Sequence, residues 1–170
     1  MKLLQKMRGS GEAPPPRSSW PAILATTLAV TAVVATLMYL TGLFEVVLML
    51  GSFAPTALIV FAYPDSPFAQ PRNVVLGHLI GSACGLASAQ GLPERWWGGA
   101  LAVGAAIGLM KAARAVHPPA CANPLIIHAF LRTSWTFLLF PTLTGAGLIV
   151  VAALLYHNLR RADPWPRYWL

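Results

Sequence analysis

Charge is scarce in this sequence. Asp, Glu, Lys and Arg make up 10% of its 170 residues, against about 25% in a soluble globular domain. With 56% hydrophobic residues, most of the chain cannot face water, which excludes an ordinary soluble fold. The carboxylates are Glu12, Glu45, Asp65, Glu94 and Asp163, and Glu45 alone sits close to an apolar segment. There is no HExxH, GxSxG or CxxC run, and the His and Cys residues are not spaced as a metal set. These absences argue against an enzyme, a metal site or a bound cofactor. The two cysteines, Cys84 and Cys121, lie in apolar surroundings; they read as small buried thiols, and a disulfide at membrane depth is not expected.

What is present is a set of long apolar stretches broken by Pro and Gly. About 20 apolar residues span a bilayer as a helix, so the chain reads as an all-α polytopic membrane protein. A net charge of +7 would suggest nucleic acid in a soluble chain. Here the basic residues sit at the ends and in short connections, where they act as topology signals and contacts to anionic lipid, not to nucleic acid.

Residues 1–19 are polar and basic, with Pro14, Pro15 and Pro16, and read as a disordered cytoplasmic tail. The membrane domain spans residues 20–159, and residues 160–170 form a basic, aromatic carboxyl-terminal tail. Four full transmembrane helices are expected, from Trp20 to Leu40, Asn73 to Gln90, Trp96 to Arg114 and Trp135 to Tyr156. Asn73 is placed to cap the second of these. Two further segments are short or re-entrant. Gly51 and Pro55 break the first and leave a half-helix from near Ala54; His117, Pro118 and Pro119 precede the second. Pro64, Pro67 and Pro71 order the loop between them, in which Asp65 is expected to pair with Arg72. The order span, broken segment, span recurs, which predicts a two-fold internal repeat. Gly77, Gly81 and Gly85, and Gly104 with Gly108, recur every four residues, and either row would let another helix approach in a homo-oligomer.

The basic residues leave three arrangements open. If every segment crosses and the amino terminus is inside, only Arg95 and Arg132 lie outside. If both broken segments re-enter, Arg72, Lys111, Arg114 and Arg132 lie outside. If only the second re-enters, the carboxyl tail ends outside. Two of the three put both termini in the cytoplasm of a bacterial-type inner membrane, which is the expected topology, with the number of crossings left between four and six.

Broken helices expose amino ends with unpaired N–H groups, which suit an anion. Irregular backbone at membrane depth occurs where it is buried or lines a cavity. The candidate substrate-binding residues are therefore Ser52, Thr56 and Asn123 at the breaks, with Arg72, Arg114, His78 and His117 close by. They predict a transporter or channel for a small inorganic anion; the alternative is a non-transporting membrane module for assembly or regulation.

At His117-Pro118-Pro119-Ala120 the chain resembles the HPP family of integral membrane proteins. Gly51-Ser52-Phe53, Pro64-Asp65-Ser66-Pro67, Ala69-Gln70-Pro71-Arg72-Asn73 and Gly77-His78 are similar to the family's other signature. The resemblance implies about four spanning helices and a transporter, with nitrite as the anion by analogy with some members. The chain departs from the family pattern at Ala54-Pro55-Thr56 and at Cys121-Ala122-Asn123-Pro124, both at the proposed anion-facing ends.

Overall fold

The computed structural model describes residues 12–93, 95–130 and 134–169. Most of the expected amino-terminal tail, Glu94 and Arg132 lie outside the described residues. Among the described residues all regular structure is helical. Helix α1 is Trp20–Phe44, α2 Phe53–Ala62, α3 Pro71–Gly91, α4 Trp96–Ala112, α5 Asn123–Phe130 and α6 Thr144–Arg160. Prolines occupy the first turns of α1 and α3, where no intrahelical N–H is lost and φ is already helical. A tight turn of helix, Pro118–Ala122, leads into α5. A tight turn, Trp135–Leu138, and a wide one, Leu139–Leu143, lead into α6.

Three runs are long and apolar enough to cross a membrane: Trp20–Phe44, Pro71–Gly91 and Trp135–Arg160. The expected fourth span, α4, has 17 residues and rises about 25 Å, at the short end for a crossing. Helix α1 carries the clearest lipid signature. Only Val33 and Leu37 are buried in it, while Leu24, Leu28, Met38 and Leu43 are each more than half exposed. Such a surface suits hydrocarbon and not water.

Hydrogen bonds show which connections share an end of the bundle. Nδ1 of His117 donates to the Phe68 carbonyl at 2.8 Å. Arg72 donates to the carbonyls of Arg114 at 2.6 Å and Ala113 at 2.9 Å. Nε1 of Trp165 donates to the Pro64 carbonyl at 3.2 Å. A groove joins Ser18 and Ala22 at the start of α1 to Ala62 and Tyr63 at the end of α2. The start of α1, the 63–70 loop, the 113–117 turn and the carboxyl tail therefore lie together, at the terminal end. At the far end Trp135 donates to Gln90 at 3.0 Å, and the Arg95 carbonyl meets His128 at 3.2 Å. Arg17, Arg72, Lys111, Arg114, Arg160, Arg161 and Arg167 thus share the terminal end, and Arg95 lies at the far end. This is the grouping expected when every segment runs from one end to the other.

Helix α3 is the hub, packed on α4, α5, α6 and the 118–122 turn. Its glycines make this possible. A Cβ on Gly77 would stand 2.6 Å from Cβ of His117, and one on Gly85 2.9 Å from Cα of Pro124; at Gly81 it would overlap the Ala120 carbonyl. The row expected to face a second copy is therefore covered by the chain's own turn and α5. Around Gly104 and Gly108, by contrast, a Cβ meets nothing.

Candidate functional site

The expected capping role of Asn73 gives way to another. Helix α3 starts at Pro71, with Gln70 at the cap position. Asn73 lies inside the first turn, and its amide donates to the Val116 carbonyl at 3.0 Å. Arg72, one residue earlier, holds the carbonyls of Ala113 and Arg114, the first residues after α4. These carbonyls are otherwise short of partners and carry the negative end of the helix dipole, so a guanidinium suits them. Arg114 has a left-handed φ of 53° and an exposed side chain. Neither arginine reaches the interior. Both shape the rim at the terminal end.

The expected Asp65–Arg72 pair is not formed. Asp65 instead pairs with Arg161 at 2.8 Å and Arg167 at 3.0 Å. The Arg161 guanidinium, aided by Arg167, holds the Asp65 carboxyl below the usual carboxylate range. The partner comes from the tail because the tail folds back. Trp165 is buried and pinned at both ends: its N–H and carbonyl bond the Asn158 side chain at 3.0 and 2.7 Å. The Arg167 N–H donates to Oε1 of Gln70 at 2.8 Å. The tail is thus a strap across the Pro-rich loop.

Below the rim lies a buried polar cluster. It joins four of the expected residues, Thr56, His78, His117 and Asn123, and adds two, Ser82 and Thr142. All are fully buried or nearly so. Thr56 lies in the first turn of α2, and its Oγ1 is 2.8 Å from Nε2 of His78 and 2.9 Å from Nε2 of His117. It also lies 2.9 Å from the Ser52 carbonyl. Asn123, the first residue of α5, places Nδ2 2.9 Å from Oγ of Ser82 and 3.2 Å from Nδ1 of His78. Oγ of Ser82 is 2.9 Å from Oγ1 of Thr142. His78 lies two turns into α3, about 10 Å along its axis. The two broken segments therefore meet through one histidine on the central helix.

Ser52, at the cap position of α2, makes no side-chain cap bond. Its Oγ and the Oδ1 of Asn123 are buried without a hydrogen-bonding partner among the described residues. Buried polar atoms of this kind cost about 1–3 kcal/mol each, and here they sit on two of the three residues expected at the breaks, one a hydroxyl and the other an amide oxygen that only accepts. The cluster itself is closed. Phe53 lays its ring edge against His78 at 4.9 Å, and the grooves between α1 and α2 and between α1 and α6 do not reach the cluster.

Ser82 and Thr142 were not singled out from the sequence. Ser82 is one turn after His78 on the same face of α3, a signal that was available. Thr142 stands next to Pro141 in an irregular stretch with no periodic signal to place it.

The family model for the HPP transmembrane region matches residues 15–166. A transmembrane protein of Dictyostelium discoideum is 36% identical over 128 residues, covering 71% of this chain and 45% of the relative. A second from the same organism is 33% identical over 132 residues, covering 74% of this chain and 42% of the relative. The chain thus spans less than half the length of these relatives. No solved structure matches it. The match runs through both broken segments, the glycine-lined central helix and the His-Pro-Pro turn, and the chain is a member of the HPP transmembrane-region family.

Proposed function

We propose that this protein is a transporter or channel for a small inorganic anion, nitrite-like by family resemblance, and not a catalyst. The observation that carries the reading is the buried cluster itself. Two histidines, an amide and three hydroxyls are assembled where two broken segments meet, inside a chain that otherwise faces lipid. Polar groups at membrane depth are costly and mark substrate and ion pathways. One of them, the Ser52 hydroxyl at the start of a half-helix, is a donor with unused bonding capacity, and the amino end of a helix favours negative charge.

The two broken segments act as counterparts in a two-fold repeat, with His78 between them. Arg72 and Arg114 serve as the rim that draws anions to the terminal end and not as ligands. By the positive-inside rule that end is cytoplasmic in a bacterial-type inner membrane. Because the cluster is closed, passage requires α3 and the His-Pro-Pro turn to separate.

The closed packing also supports a second reading, a membrane module that assembles with partners and moves nothing. Its open face would be that of Gly104 and Gly108, since the Gly77 row is covered.

Uptake into proteoliposomes separates the two. Nitrite, nitrate, chloride and formate are compared for the native chain and for His78→Ala and His117→Ala, each first shown to be monodisperse. Saturable uptake of at least one anion, reduced at least tenfold by either substitution, supports transport. Flux no greater than that of empty liposomes for all four rejects it in favour of the assembly module.

A further inference from the structure

The donors and acceptors around Thr56 can be counted. The Phe68 carbonyl only accepts, so Nδ1 of His117 carries a proton and Nε2 is bare in the neutral ring. Nδ2 of Asn123 faces Nδ1 of His78 and donates, so Nε2 of His78 carries that ring's proton and donates to Oγ1 of Thr56. The single Thr56 hydroxyl hydrogen then has two acceptors within reach, Nε2 of His117 at 2.9 Å and the Ser52 carbonyl at 2.9 Å. The Ser52 carbonyl also receives the Thr56 backbone N–H at 3.2 Å. With both rings neutral, the hydroxyl points to His117 and the carbonyl keeps its amide. If Nε2 of His117 takes a proton, that N–H donates to Oγ1 of Thr56, and the hydroxyl turns to Ser52. Oγ1 then accepts twice and donates once, which is its full capacity.

We propose that His117, Thr56 and His78 form a buried proton-binding site that loads and unloads one proton on Nε2 of His117 by rotation of the Thr56 hydroxyl. No heavy atom has to move, and no hydrogen bond is left unmade in either state. A single charge in this buried place is costly, and among the described residues no carboxylate in the surroundings offsets it. Asp65 is held by Arg161 and Arg167 at the rim, and Arg72 is held by carbonyls. Lys111 and Arg114 are exposed. Cys84 and Cys121 pack with Met110 in a separate cluster. His128 is turned to Ser88 and His157 to the Val60 carbonyl. The counter-charge must therefore come from an anion entering with the proton, and the unpartnered Ser52 hydroxyl is the donor that would meet it. For transport this means that proton and anion move together, a consequence that rests on the transport reading; the proton site does not.

Two measurements test this separately. Nitrogen-15 NMR of histidine-labelled protein in nanodiscs reads the tautomers without any flux. The expected result is Nδ1–H on His117 and Nε2–H on His78 at alkaline pH, with His117 alone gaining a proton on acidification in the presence of nitrite. In Thr56→Val that gain is lost, and in Thr56→Ser, which restores the hydroxyl, it returns. Reversed tautomers, protonation of His78 first, or an unaltered response in Thr56→Val would overturn the proposal. The second measurement is the pH of the liposome lumen during anion uptake, followed with a trapped dye. One proton entering per anion supports coupling. Anion uptake with no proton movement overturns coupling while leaving the transport reading intact.

Discussion

Nδ1 of His117 and the backbone carbonyl of Phe68 are 2.8 Å apart, and this bond ties the His-Pro-Pro turn to the Pro-rich loop. It fixes the imidazole tautomer and aims the other ring nitrogen at Thr56. In His117→Phe both the Phe68 carbonyl and the Thr56 hydroxyl lose this partner inside the protein. Such a loss costs about 1–3 kcal/mol. A lowered thermal midpoint in detergent is expected, and a midpoint equal to that of the native chain would show that the bond contributes nothing.

Arg72 predicts a different pattern. It binds two carbonyls at the end of α4, so Arg72→Met costs about 1.5–3 kcal/mol in stability. Lysine keeps the charge but not the planar fork, so Arg72→Lys recovers only part of the loss. If the residue shapes the rim and is not a ligand, the proposed transport of an anion keeps the same KM in Arg72→Lys. A large rise in KM with unchanged stability would make Arg72 a ligand after all.

The glycines divide cleanly. Gly77→Ala drives a Cβ into His117 and costs about 1–3 kcal/mol through overpacking. Gly104→Ala meets open space and gains up to about 1 kcal/mol from helix propensity. Thermal unfolding of the two variants should shift in opposite directions. Equal shifts would mean that the turn does not sit where the glycine row places it.

The strap depends on pH through Asp65. Its carboxyl is held below the usual range by Arg161 and Arg167, so the folded form prefers it charged. The stabilisation is fully present above the unfolded carboxylate value of about 3.9 and fades as pH falls through the lower folded value. The strap should therefore become accessible to protease in strongly acid conditions and remain protected at neutral pH. Asp65→Asn should open it at neutral pH as well. Protection in that variant equal to the native chain would sink the idea. The pair is partly exposed, so high salt should weaken it.

Much of this architecture was legible because membrane rules are strict. A low count of charges, long apolar runs and the Pro and Gly breaks located the segments. The basic residues left three crossing orders open, and in the structure Arg95 alone among those described stands apart from the others. Tertiary partners were not legible. Asp65 and Arg72 are neighbours in sequence and invited pairing, but Asp65 sits at the loop surface, and the tail brings two arginines to it from the far end of the chain. The tail reads as polar and aromatic, and nothing local says that Trp165 is buried. At the site, Thr56, His117 and Asn123 were found from the breaks they flank, and His78 from its place in a glycine-lined span. Ser82 went unnoticed because a serine in an apolar helix gives little signal by itself. The Gly77 row was recognised as a close-packing face, but sequence does not say whether the partner is another copy or the chain's own turn.

That row has a mechanical meaning. Where the His-Pro-Pro turn and α5 lie on α3, the helix offers bare backbone at Gly77, Gly81 and Gly85, and the α3 side chains beside that row, Arg72, Asn73, His78 and Ser82, meet them through hydrogen bonds. Interdigitated seams resist sliding because each knob must leave its hole. A seam closed by glycines and hydrogen bonds has no knob to withdraw, so its resistance to parting lies in those bonds, the Thr56 bonds to His78 and His117 among them.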